Sequence, residues 1–120
     1  MINRGVLMYA IRGAISVSAN NKTDILDATK EIMQSLIEAN SLREKDLVSI
    51  ITTATPDLTK VYPGQALREL GYNLTPILCL QEMKVENSSQ KMIRLLVHVK
   101  GNKDKTQVKH QYLNCRQDSR

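Results

Sequence analysis

Four polar residues interrupt or follow segments that are otherwise apolar. They are Arg12 in "MYAIRGAISV", Glu82 after "PILCL", Arg94 in "KMIRLLVHV" and Tyr112 in "VKHQYL". Arginine keeps its charge in proteins, and its planar donors match the two oxygens of a carboxylate. A buried glutamate needs a cation or several hydrogen-bond donors around it. If the four segments lie side by side, these residue types predict a site that binds an anion.

Each of these residues also has a plainer explanation. Glu82 and Arg94 could form an ion pair that only supports the structure. Arg12 could lie at the surface near a strand end, and Tyr112 could be half-buried with its hydroxyl in water. The nearby Cys79 could be a small buried hydrophobic residue. Taken singly, none of them indicates a function.

The segments between these residues have the patterns of two helices. Residues 23–39 carry an apolar stripe of helical period, and Asn20, Asn21 and Thr23 are candidate N-caps. Residues 63–70 predict a short helix that begins at a proline and is closed by Gly71. The stretch "SLRE" has the spacing of a capping box and predicts one further helical turn from Ser41.

Five apolar or β-branched runs predict strands. They are residues 8–17, residues 47–55, the run after Pro76, residues 91–99 and the weaker run 108–113. The order of strands and helices predicts an α+β domain with a mixed five-stranded sheet and its helices on one face.

Composition limits the class of protein. A chain of 120 residues with 42% hydrophobic residues fits one compact domain. No run approaches the roughly 18 apolar residues of a membrane span, and Cys79 and Cys115 lack the spacing of a disulfide framework or a metal site. The charge of +5 is concentrated from Lys84 onward, but that segment has few aromatic residues to stack on bases. We therefore expect a cytoplasmic protein with no metal, no membrane partner and no nucleic-acid partner.

The amino-acid sequences of several segments, and their order along the chain, resemble those of one family. The segments "IRGAISV", "TATPDLTKVYPGQALRELG", "PILCLQEM", "MIRLLVHV" and "HQYL" resemble the monofunctional chorismate mutases of the small trimeric bacterial type. The resemblance covers residues 8–113. It implies an isomerase that converts chorismate to prephenate by a pericyclic Claisen-type rearrangement, without a cofactor or a covalent intermediate. It also implies a homotrimer, a pseudo α/β-barrel with its active sites at the subunit interfaces.

The resemblance also implies roles for individual residues. Arg94 corresponds to the cation beside the breaking C–O bond, and Arg12 and Tyr112 to the groups that bind a carboxylate. Glu82 and Cys79 correspond to the hydrogen-bonding partners of the ring hydroxyl. Further expected substrate contacts are Arg68 at the pocket entrance and Tyr62 as an aromatic wall of the pocket. Gly64, Gln65 and Leu78 are expected to contact the substrate as well.

Three features depart from the family pattern. Gln65 stands where the family tends to have a lysine, so one positive charge near the pocket is missing. Residues 114–120 do not match the family's apolar tail, and we expect them to be flexible. Residues 1–7 precede the usual start, and we expect a disordered extension.

Two alternatives stay open at this stage. A trimer that binds an aromatic-pathway carboxylate without turnover would use the same arginines. An imine deaminase of similar trimeric fold would also bind a carboxylate through arginine, although the pairing of "TATPDL" with "LQEM" favours the mutases.

Overall fold

A computed structural model describes residues 7–115. Apart from Leu7, Asn114 and Cys115, the predicted extension and tail lie outside the described residues. No helix within the described range is long and apolar enough to cross a membrane. The elements are β1 (Met8–Ser16), α1 (Lys22–Asn40), β2 (Leu47–Ala54), α2 (Gly64–Glu69), β3 (Ile77–Gln81), β4 (Met92–Lys100) and β5 (Gln111–Leu113).

The strands form one five-stranded sheet in the order β3-β2-β4-β1-β5. The central strand β4 pairs antiparallel with β1 and with β2, while β3 and β5 add parallel strands at the two edges. A parallel pair needs a crossover connection, which α2 supplies between β2 and β3. The predicted mixed five-stranded α+β sheet is confirmed.

The helices pack on one face of the sheet. The fully buried Ile11 and Ile15 of β1 and Leu95 of β4 belong to the same core as Ile32 and Leu36 of α1. Gly13 permits this close packing, because a Cβ atom there would lie 2.9 Å from Ile32 Cγ1 and from Leu36 Cδ1. The helix-facing side of the sheet therefore holds the apolar core, and polar side chains concentrate on the opposite side.

Helix α1 has a side-chain cap at its start and a left-handed residue at its end. The Asn21 side chain accepts a hydrogen bond of 2.8 Å from the Asp24 N–H. Ser41 ends the helix with φ of 52°, and its N–H donates to the Ile37 carbonyl. The predicted capping box at Ser41 is therefore wrong, since Ser41 terminates α1 and the next turn, Glu44–Asp46, begins without a side-chain cap.

Strand β5 is shorter than predicted. Lys109 donates its N–H to Asn40 Oδ1 over 2.9 Å, and its carbonyl accepts from Asn40 Nδ2 over 2.9 Å. These bonds connect residue 109 to the end of α1, so its backbone groups do not extend the sheet. Pairing with β1 begins only at Gln111.

Candidate active site

The face of the sheet that points away from the helices, here called the open face, carries the predicted anion-binding residues. The pairing of the strands places Tyr112 of β5 beside Ala14 of β1, and Ala14 beside Arg94 of β4. Arg94 in turn lies beside Thr53 of β2. Directly paired residues point to the same side of a sheet. Tyr112, Arg94 and Thr53 therefore lie in one row across four strands.

Arg12 lies one row further along the same face, beside Leu96 of β4. Its backbone N–H donates a hydrogen bond of 3.0 Å to Nδ1 of His110, the residue before β5. Arg12, Glu82 and Arg94 line one cavity of about 450 Å³. The structure thus brings two guanidinium groups and a carboxylate to a shared opening in the sheet.

Glu82 faces Arg94. Nη1 of Arg94 lies 2.5 Å from Glu82 Oε1 and 2.6 Å from Oε2, and the two side chains are only 11% and 10% exposed. The Thr53 hydroxyl donates a second hydrogen bond of 2.7 Å to Oε2. A nearly buried carboxylate is thereby compensated both by a cation and by a neutral donor.

This arrangement can hold a cation that is largely shielded from solvent in a fixed orientation at the wall of a cavity. A guanidinium that is fixed before a ligand arrives loses less entropy on binding, and its field is stronger where water is excluded. Arg12 places a second guanidinium group at the same cavity. The open face is therefore suited to binding an anion and to stabilising negative charge that develops during a reaction.

A second cavity, of about 640 Å³, lies at the end of β2 and β3 near the start of α2. Its lining includes Lys60, Tyr62, Gln65 and Cys79. Cys79 pairs with Thr52, which is fully buried, and its Sγ would lie 2.8 Å from a Cβ atom at Gly64. The thiol therefore points to the helix side, away from the open face that holds Glu82.

Tyr112 shares the open face but does not line its cavity, and the remaining predicted residues do not line it either. The Gln65 side chain donates a hydrogen bond of 3.0 Å to Glu69. Arg68 donates hydrogen bonds of 2.5 Å to the Tyr72 carbonyl and of 2.9 Å to the Thr75 carbonyl. Arg68 thus supports the turn between α2 and β3. Two exposed side chains, Tyr62 and Leu78, lie outside that cavity, although Leu78 is on the open face.

The last residue of α2, Glu69, belongs to a small charged network. The hydrogen bond from Gln65, together with the Lys30 ammonium at 2.8 Å, holds the pKa of Glu69 below its ordinary value. Because Lys30 belongs to α1, this contact joins the two helices beside the second cavity.

Sequence reasoning missed Thr53. Threonine is common in strands because it is β-branched, so "ITTAT" shows nothing unusual. Only the pairing of β2 with β4 reveals that Thr53 lies beside Arg94 and within reach of Glu82.

The fold and the open face together define a small α+β protein whose sheet brings two guanidinium groups and a carboxylate to one cavity. Comparison with known proteins is more specific. The chain belongs to the chorismate mutase type I family, whose model matches residues 8–120.

Curated relatives and a solved structure agree with this assignment. The chain is 37% identical over 109 residues to chorismate mutase AroH of Bacillus subtilis (strain 168), which covers 90% of this chain and 86% of the relative. It is 33% identical over 108 residues to chorismate mutase AroH of Thermus thermophilus, covering 89% and 88%. A chorismate mutase structure from Clostridium thermocellum superposes with a TM-score of 0.85 at 41% identity, covering 88% of this chain and 94% of the other.

Proposed function

We propose that the protein is a chorismate mutase that converts chorismate to prephenate on the open face of its sheet. Family membership and the two curated AroH relatives support the activity. The observation that carries the location is the ion pair between Arg94 and Glu82, which lines one cavity with Arg12. Tyr112 lies in the same row as Arg94 and is assigned to the same site.

The first task of this site is to hold one conformer. Chorismate carries two carboxylates and a ring hydroxyl, and it rearranges only when its enolpyruvyl side chain folds over the ring. Bidentate hydrogen bonds from arginine can select that conformer, and such orientation can contribute several kcal/mol to lowering a barrier. We assign one carboxylate to Arg12, with Tyr112 as a further donor.

The second task is electrostatic. The C–O ether bond breaks as a new C–C bond forms, and the electrons move around one ring, so no proton is gained or lost. Because breaking runs ahead of forming, negative charge grows on the ether oxygen. A fixed Arg94 guanidinium beside that oxygen stabilises the transition state more than the substrate.

Glu82 has a positioning role in this account. A reaction without proton transfer needs no general base, so its carboxylate serves as an acceptor for the ring hydroxyl. Its second effect is to hold the Arg94 guanidinium, through the two short contacts already described. Metal or cofactor chemistry plays no part in the proposed mechanism.

We further propose that the protein is a homotrimer whose sites lie between subunits. The open face exposes Leu78, Leu80 and Leu96, an apolar surface that a closed ring of three copies would cover. Within one chain Arg12, Glu82 and Arg94 line one cavity, whereas Tyr62, Gln65 and Cys79 line another. A neighbouring copy can join them by presenting its second cavity, with Tyr62 and Cys79, to the open face.

The test of the activity is the decay of chorismate ultraviolet absorbance with purified protein, with the product identified as prephenate by NMR. Turnover to prephenate is the expected result. Calorimetric binding of chorismate without turnover would instead indicate a binding protein. Ammonia release from amino-acid-derived imines would indicate the deaminase alternative.

A further inference from the structure

We infer that Thr53 is a positioning residue for this reaction, and that its hydroxyl sets the orientation of the Glu82 carboxylate and, through it, of the Arg94 guanidinium. The inference rests on the proposed function. Thr53 itself is not assigned a contact with substrate, so its effect passes through Glu82.

Backbone geometry brings the three residues together from three strands. Thr53 of β2 lies directly beside Arg94 of β4. Glu82 follows the last residue of β3, and its N–H donates a hydrogen bond of 2.9 Å to the Ala54 carbonyl. The backbone of Glu82 is thus fixed to β2 one residue away from Thr53.

The Thr53 hydroxyl then fixes the carboxylate. It donates a hydrogen bond of 2.7 Å to Oε2 of Glu82, and the same oxygen lies 2.6 Å from Arg94 Nη1. Threonine is restricted about χ1 because it is β-branched, so its hydroxyl occupies a defined position. Glutamate has three side-chain torsions, and without this donor only the contacts with Arg94 limit rotation about the last of them.

Rotation of the carboxylate would displace the cation that bonds to both of its oxygens. Electrostatic stabilisation depends on the position of the donor, and a misplacement of about 1 Å can cost about a hundredfold in rate. Because Thr53 holds Oε2, the ring hydroxyl of the substrate is directed to Oε1. Thr53 therefore selects which carboxylate oxygen serves the substrate.

The adjacent Thr52 provides a matched control. It has the same side chain in the same strand but points to the helix side, where it is fully buried. Its hydroxyl has no hydrogen-bond partner within the described part of the chain. Replacing an unsatisfied buried hydroxyl by a methyl group should raise stability and leave the open face unchanged.

The experiment measures kcat, KM and the thermal midpoint for the wild-type protein, Thr53→Val, Thr53→Ser and Thr52→Val. Loss of a hydrogen bond to a charged group predicts a fall of about 10- to 100-fold in kcat for Thr53→Val, with a smaller change in KM. Thr53→Ser restores the hydroxyl and should recover most of the activity. Thr52→Val should keep wild-type kinetics with a higher midpoint.

A double-mutant cycle tests whether Thr53 acts through Glu82. Thr53→Val should have little further effect on kcat in a Glu82→Ala background, because the group that it orients is already gone. Additive losses would overturn the inference, as would full activity in Thr53→Val or no recovery in Thr53→Ser. If Thr53→Val does not fold, Thr53→Ala replaces it, and failure of both to fold would reduce Thr53 to a structural residue.

Turnover by the wild-type protein distinguishes failure of this inference from failure of the proposed function. Turnover by the wild-type protein with an equally active Thr53→Val would overturn the role of Thr53 alone. Absence of turnover in a folded wild-type protein would overturn both.

Discussion

Arg94 and Glu82 are the residues on which the proposed chemistry depends, and their ion pair is almost hidden from solvent. Removing one partner of such a pair is costly, because the other charge is left without compensation. The same pair can therefore support the sheet and orient a catalytic cation. Replacement of one member by a residue of equal shape separates the two effects better than truncation does.

Glu82→Gln is such a replacement. We expect its turnover to remain within roughly a hundredfold of the wild-type value, because the side chain keeps an oxygen to accept a hydrogen bond and the reaction needs no base. Steady-state kinetics and thermal unfolding check this, with the exposed Glu38→Gln as the control. A loss of more than a thousandfold would support proton transfer, and loss of the fold would support a purely structural ion pair.

Sequence reasoning identified Arg12, Glu82, Arg94 and Tyr112 because a polar residue in an apolar strand is visible without a structure. The family resemblance assigned Cys79 and Glu82 to the same ring hydroxyl, and within one chain their side chains point to opposite sides of the sheet. The cause is strand geometry, since residues three apart in extended chain point to opposite faces. The roles assigned to Cys79 and Glu82 stay predictions. In the proposed trimer, Cys79 of a neighbouring copy would contact the substrate.

The secondary-structure elements were predictable from local patterns, and their arrangement was not. The apolar stripe of α1 and the β-branched runs give each element from its own residues. The order across the sheet depends on contacts between residues far apart in sequence, such as Arg12 with Leu96. The bounds of β5 were overestimated because the bonds of Lys109 to Asn40 compete with strand pairing.

The contact between α1 and α2 predicts a pH dependence. The pKa of Glu69 is lowered by Gln65 and Lys30, so the charged carboxylate stabilises the folded state. This stabilisation is present above the ordinary glutamate pKa, and it is lost as the pH falls through the lowered folded-state pKa. Urea unfolding should show the wild-type protein as more stable than Glu69→Gln near neutral pH.

That advantage should shrink as the pH is lowered below about 4.5, the usual range for glutamate. The contact is exposed to solvent, so added salt should reduce it as well. An advantage that stays constant from neutral to acidic pH would contradict the assigned electrostatic cause.

The molecule as a whole is asymmetric between its two sheet faces. One face is covered by helices, and the other exposes leucines around a cluster of charged residues. In the proposed trimer, copies of the same chain would cover the rim of this apolar face and complete the site. The sequence could suggest this only through its family resemblance, because periodicity does not encode a partner.

The trimer can be tested by light scattering. We expect a mass three times the chain mass of 13.5 kDa for the wild-type protein. Leu80→Glu introduces a charge on the exposed open face and should dissociate the trimer with loss of activity. Leu74→Glu, at an exposed position outside the strands, should keep the wild-type mass. An active wild-type monomer would contradict the proposed shared site.

The most direct test of the central claim is chorismate turnover by Arg94→Ala beside the wild-type protein. Loss of a positioned donor to the developing oxyanion predicts a fall in kcat of at least about 10² to 10³. Thermal unfolding shows whether the variant is folded, and Arg43→Ala, at an exposed arginine paired with Asp46, is the matched control. A folded Arg94→Ala protein with near wild-type turnover would contradict the account, and a loss confined to Arg94→Ala would support Arg94 as the catalytic cation.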